Sequence, residues 1–288
     1  MTAGPDGLDA LRREIDALDD RMHDLLMARA EVVERIFAVK NNQGSGKIYP
    51  GREARILRRL LARHHGRLPK PVIARVWREL LSAFGRMQQP FAVAVLAPER
   101  SVSYWDLARG HFGSSTPTTL HRSAQNVLSA VMETPGLIGV LPVPQEDETD
   151  PWWPKLVGDM PLPRVVTKLP FVAESTGGPE NISAFAVAMM EPEASGDDGS
   201  LIALSLKDPI SRMRLNELLQ QAGLAGKHVA SSGEWHLIEV EGFIAKDDAK
   251  LANLVKRAAG VIQQVAAIGA FPAPIPAAPP APATAPAP

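Results

Sequence analysis

The sequence predicts a multidomain protein: an all-α unit of three helices over residues 1–90, smaller α/β and α+β regions over 91–195 and 196–271, and a Pro/Ala-rich tail over 272–288. Three observations predict it. Between Leu8 and Lys40, apolar residues recur four and three apart at Leu11, Ile15, Leu18, Met22, Leu25, Val32, Ile36 and Val39, the spacing of a helix packed lengthwise against other helices. After Pro90 the pattern changes to short apolar runs bounded by turn residues, as in strands alternating with helices. Residues 272–288 hold eight Pro among mostly Ala, a composition that is disordered or polyproline-like and builds no core.

The first helix would run about 50 Å at 1.5 Å per residue. A unit of ninety residues cannot cover that length by itself, so the seam asks for a partner copy or an extended bundle. After a turn at Asn41 to Lys47, Pro50 stands at a plausible first helical position, and Ile56, Leu57, Leu60 and Leu61 follow at helical spacing. This second helix ends near His64-His65-Gly66, where the two imidazoles are placed to cap carbonyls. Leu68-Pro69-Lys70-Pro71 restarts the chain. Val72, Ile73, Val76, Trp77, Leu80, Leu81 and Phe84 then define a third helix ending around Gln88 or Gln89.

One seam position of the first helix is charged. Arg29 fills it, and a guanidinium there is costly unless an anion meets it, which makes Arg29 a candidate ligand-binding residue; the other reading is a register-setting or snorkelling Arg in a coiled coil. Lys40, eleven residues on, returns to nearly the same face three turns later, so the two cations look into one cavity. Arg12 lies seventeen residues before Arg29, on a different side and about 25 Å away. In an antiparallel dimer of long helices the Arg12 of one copy could reach the central site of the other, giving two composite sites.

Leu11-Arg12, Leu18-Asp19, Arg29 after a Leu-Leu run, Lys40, Arg52-Glu53 opening the second helix and Gln88 closing the third together resemble the all-helical chorismate mutase family, over residues 8–89. The resemblance implies an intertwined homodimer of three-helix chains that rearranges chorismate to prephenate. It departs at Tyr49, where the family often has an acidic residue, and at Phe84, where it has a small hydroxyl residue. That rearrangement is pericyclic and uses no metal, cofactor, nucleophile or general base. It needs a clamp that holds two carboxylates in a compact geometry and donors preorganised for the charge growing on the breaking ether oxygen. By resemblance, Arg29 and the partner's Arg12 hold the carboxylates, Lys40 and Gln88 bond the ether oxygen, Glu53 accepts from the ring hydroxyl and Arg52 orients it, with Tyr49 and Phe84 in the same pocket. Arg suits carboxylates because its fork is planar and bidentate.

Charge agrees with an anionic substrate: residues 1–90 carry 17 Lys and Arg against 11 Asp and Glu, a balance of +6, while the rest of the chain balances at −7. Nucleic acid is disfavoured, because the acidic residues are interspersed and no recognised binding motif or stacking aromatic series is present.

Phe91–Leu96 and Leu137–Pro142 read as buried strands, with a loop at Ala97–Ser103 and a helix at Tyr104–His111. This order, with His111-Phe112-Gly113, Pro142 to Asp147 and Asn181-Ile182-Ser183-Ala184-Phe185, resembles a degenerate prephenate dehydratase region. Its loop glycines are replaced by Ala97 and Arg100, its substrate-binding Arg by Ala184, and it is too short for a second lobe. From Gly199 to Phe271, strands at Leu201–Leu206 and Glu234–Val240 and helices at Arg212–Ala222 and Asp247–Ala259 resemble an ACT regulatory domain. Lys207 to Ser211 and Ala230-Ser231-Ser232 replace that family's effector-binding segments. Trp152 and Trp153 read as plugs that seat a loop on the core.

The absence of cysteine excludes disulfides and thiol catalysis. No signal peptide or apolar run of membrane length is seen, so a cytoplasmic enzyme without membrane contact is expected. The reading is a homodimeric chorismate mutase of aromatic amino-acid biosynthesis with a degenerate dehydratase-like and ACT-like remainder. The alternatives are a bifunctional mutase/dehydratase making phenylpyruvate and a catalytically silent dimerisation or regulatory module.

Overall fold

A computed structural model describes residues 5–40, 48–97, 103–146, 148–158, 160–173, 182–258 and 260–276. The expected turn at Asn41 to Lys47, most of the loop after Ala97, Asp147, Asn181 and the tail beyond Pro276 lie outside the described residues.

The three expected helices are α1 (Pro5–Lys40), α2 (Pro50–Arg63) and α3 (Lys70–Gln88). Pro occupies the first turn of α2 and of α3, where its missing N–H has no intrahelical partner to lose. His64 and His65 follow α2, in contact with the carbonyls of Leu68 and Arg63 at 2.6 and 3.2 Å. The seam of α1 lies open: Leu11, Ile15, Leu18, Met22 and Leu25 are all about half exposed or more, Leu25 at 71 %. α2 and α3 close a small core around Ala54, Leu57 and Leu81, and its fourth buried member, Phe171, comes from far downstream, with Val172 and Ile275 packed beside it.

After Pro90 the chain builds β1 (Ala92–Leu96), α4 (Ser103–Phe112), β2 (Thr118–His121), α5 (Ala124–Glu133) and β3 (Leu137–Pro142). β2, β1 and β3 are parallel, with α5 packed beneath one face and α4 on the other. A 3₁₀ turn at Trp153–Leu156 follows, then the antiparallel pair β4 (Arg164–Leu169) and β5 (Ala184–Ala188). Trp152 and Trp153 are fully buried there, and the Trp152 indole N–H donates to the Pro142 carbonyl at 3.0 Å. The remainder is β6 (Asp198–Leu206), α6 (Arg212–Gln221), β7 (Gly226–Ser232), β8 (Trp235–Glu241), α7 (Ala249–Arg257) and β9 (Ile262–Pro272). Among the described residues all nine strands form one sheet in the order β2-β1-β3-β5-β4-β9-β6-β8-β7. The strands on either side of residue 195 therefore share a sheet. β5 and β6 are buried at every position, in keeping with the apolar and small residues that follow Asp198 in β6 and fill β5.

The helical unit is seated on this sheet. Arg58 donates to Ser195 Oγ and to the carbonyls of Asp197 and Ala273 at 2.9, 2.6 and 2.9 Å, and Arg55 donates to the Ala194 carbonyl at 2.9 Å. From α3, Glu79 accepts from the Ser114 backbone N–H and Arg86 donates to Ser115.

The two halves of the sheet meet at one register pair, Val165 with Gly269. Gly269 has φ +156, and a Cβ placed on it would lie 2.3 Å from the Val165 carbonyl oxygen and 2.4 Å from its nitrogen, backbone atoms that cannot swing aside. Gly269→Ala should therefore cost about 2 kcal/mol or more. Gly223→Ala, at φ +75 with open space around it, should cost less, about 1 kcal/mol. Urea midpoints compare the two, and an equal or smaller loss for Gly269→Ala would contradict the close approach.

Candidate active site

Arg29 sits two thirds of the way along α1, half-buried, with its guanidinium carbon 4.2 Å above the Phe84 ring centroid of α3. Its Nη1 is buried with no hydrogen-bond partner. Burial and, after it, the charge of Arg52 push its pKa down. The two cations thus lie near enough to repel each other. A desolvated, unpaired guanidinium donor is costly until an anion satisfies it, and Phe84 supplies a ring face that supports the flat group from below.

Glu53 opens α2, its backbone N–H donating to the Tyr49 carbonyl at 2.9 Å. Its Oε2 accepts a 2.8 Å hydrogen bond from Arg78 Nη1 on α3. Burial raises the Glu53 pKa, and Arg78 acts against that rise. Tyr49, Glu53 and Gln88 line a cavity of about 60 Å³ whose far wall belongs to the sheet unit, from Phe91, Ile138, Met189 and Met190. On its other side Glu53 shares a second, smaller space with Ile48, Ser82, His111 and Thr167.

The structure thus brings the predicted residues together in two groups. Tyr49, Glu53 and Gln88 share a cavity, and Arg29, Phe84 and Arg52 form a neighbouring cationic cluster. Arg12 joins neither within one chain: it is exposed near the other end of α1, paired with Asp9 at 3.1 Å. Lys40 is the last residue of α1, and its side chain lies outside the described residues.

Arg78, His111 and Phe171 were missed by the sequence reading. A signal for Arg78 was present. It follows Ala74 by four residues and precedes Leu81 by three, so it occupies a buried seam position of α3, the same anomaly that singled out Arg29. His111 and Phe171 come from elements more than twenty residues beyond the helical unit, and no local pattern could bring them to Glu53.

Residues 11–89, which span most of α1 and all of α2 and α3, match the model of the family Chorismate mutase type II. Among curated proteins, the chain is 31% identical over 151 residues to the bifunctional chorismate mutase/prephenate dehydratase of Pseudomonas aeruginosa. It is 33% identical over 148 residues to that of Stutzerimonas stutzeri. These matches cover 51% and 50% of this chain and 41% and 40% of those proteins, so the chain spans about two fifths of the length of the relatives it matches. Among solved structures, the prephenate dehydratase from Streptococcus mutans has a TM-score of 0.45 at 15% identity, covering 63% of this chain and 97% of that chain.

Proposed function

We propose that this protein is a chorismate mutase that works as a homodimer. The observation that carries the reading is the buried Nη1 of Arg29, without a hydrogen-bond partner and near the charge of Arg52, in a helical unit that matches the chorismate mutase type II family. An anionic ligand resolves that arrangement, and a dianion with two carboxylates uses both cations.

In this reading Arg29 holds one carboxylate in a bidentate fork while the Phe84 face keeps the fork planar to it. The partner copy's N-terminal arginine would reach the second carboxylate, because an antiparallel α1 would cover the open Leu11-to-Val39 seam and carry Arg12 toward the other copy's centre. Gln88 and Lys40 would bond the ether oxygen, whose charge grows as its bond breaks. Glu53 would accept from the ring hydroxyl through the oxygen not engaged by Arg78. No proton is lost or gained in the rearrangement, so catalysis consists of compressing the substrate and stabilising its polar transition state.

Dehydration of the product is not part of the proposal. Ala184, where the dehydratase-like pattern has its carboxylate-binding Arg, is fully buried in β5 among Val93, Val140 and Leu169. An arginine side chain has no room there, and a carboxylate has no partner.

The purified protein should convert chorismate to prephenate without accumulating phenylpyruvate at neutral pH. Arg29→Lys should lower kcat/KM by about 10² to 10³, because one bidentate clamp is lost. Wild-type turnover in Arg29→Ala would sink the assignment, and phenylpyruvate formed by the enzyme would restore the bifunctional alternative.

A subunit-exchange experiment checks the composite site. Arg12→Ala and Arg29→Ala homodimers should each be nearly inactive, whereas mixing them should recover activity, since one of the two sites in each heterodimer then receives both arginines. Verified exchange with no recovery would contradict the shared site.

A further inference from the structure

Glu53 is the one acidic residue expected to touch substrate, and the structure gives it a partner that the family pattern does not mention. We infer that Arg78 is the positioning residue of this site: from the buried junction between the helical and sheet units it aims the Glu53 carboxylate and keeps it ionised. The inference rests on the mutase reading for the role of Glu53, while the pairing itself stands on geometry.

Three features make Arg78 more than a surface ion pair. Its bond to Glu53 Oε2 is short, at 2.8 Å, and Arg78 as a whole is only 7 % exposed. It lies 5.2 Å over the ring of Phe171, itself buried, so a residue nearly a hundred positions downstream fixes its height above α2. The Phe171 ring also carries Arg58 at 5.5 Å, and Arg58 is tied to Ser195, Asp197 and Ala273. The sheet unit therefore sets where the Arg78 fork stands, and the fork sets where the carboxylate points.

The charge argument runs the same way. A carboxyl this deeply placed takes up a proton unless a cation meets it, and a protonated Glu53 would compete as a donor instead of accepting from a substrate hydroxyl. The groups facing it are Arg78 and Gln88 from α3, His111 from α4, Thr167 from β4, and Tyr49 just before α2. His111 offers no matching charge, because burial, ahead of the Arg78 charge, pushes its pKa well below the ordinary imidazole value. Arg52, next in sequence, is exposed. Among these neighbours Arg78 is the cation in hydrogen-bonding contact. A guanidinium stays charged across the working pH range even when burial lowers its pKa.

The test uses the full-length chain. Rate against pH is followed with chorismate, and the Glu53 carboxyl is followed by carbon NMR on protein labelled at glutamate, with Glu53→Gln identifying its resonance. In the wild type the carboxyl should be ionised at pH 7 and above, and kcat/KM should fall only on the acid side. Arg78→Met should move that acid limb and the carboxyl titration upward by at least one pH unit. It should lower kcat/KM at pH 7 at least tenfold and recover rate toward pH 9; Arg78→Lys should return the limb toward its wild-type place. Arg78→Gln, which keeps a donor but no charge, serves if the Met variant does not fold, and should show the same upward shift. A folded Arg78→Met or Arg78→Gln with limb and resonance unmoved would overturn the inference, as would a wild-type carboxyl protonated at pH 7. If the wild type left chorismate untouched, the mutase reading would fall, and the carboxyl titration would still decide whether Arg78 holds Glu53 ionised.

Discussion

The buried ring of Phe171 is the contact on which the arrangement turns. It completes the small core of α2 and α3 and stands beneath two guanidinium groups, Arg58 and Arg78, that reach in opposite functional directions. Arg58 ties α2 to the sheet unit, and Arg78 ties α3 to the carboxylate of the candidate site. A two-helix layer of fourteen and nineteen residues buries too little apolar surface to hold such charges still by itself. With Phe171, Val172 and Ile275 supplied from downstream, the helical unit gains a floor, and the geometry of its site becomes a property of both units.

The site shows two ways of taking an arginine out of water. Arg78 and Glu53 form a closed pair, joined at 2.8 Å, in which each charge answers the other and the carboxylate is held in place. Arg29 is left open, with one buried nitrogen unbonded and a second cation nearby. The closed pair costs desolvation and returns position; the open one stores a demand for an anion. A single chain that contained only closed pairs would have no reason to bind a dianion, and one that contained only open ones would repel itself at the junction.

Much of this was legible in the sequence, for reasons that differ by element. α1, α2 and α3 announce themselves by apolar spacing and by Pro in the first turn, because amphipathic helices encode their buried face locally. β1, β3 and β6 announce themselves as unbroken apolar runs between turns. β2 and α5 escaped: β2 is four residues of Thr, Thr, Leu and His half open at the sheet edge, and α5 is set off by a Ser123 cap whose oxygen accepts from the Asn126 N–H, a signal as common in turns. At the site, Arg29 was readable because a charge on an apolar seam is an anomaly anywhere. The pairing of Glu53 with Arg78 was not, since it depends on Phe171 and His111 arriving through the sheet, and no periodicity records that.

The same dependence gives the sheet unit a structural bearing on the site. β5 places the small residues Ala184 and Ala186 in the core that it shares with α4, β1, β3 and β4, and so lets these elements close tightly on one another. That closure holds α4, and with it His111 and Phe112, against α3, where the Ser82 hydroxyl bonds the Phe112 carbonyl and Ser114 bonds Glu79. It also fixes the segment after β4 that carries Phe171. What this packing supplies to the helical unit is the place of Phe171 beneath the Arg78 guanidinium. The residues of the sheet unit that bear on the site are therefore those at the junction with α2 and α3, not those at its far β7 edge.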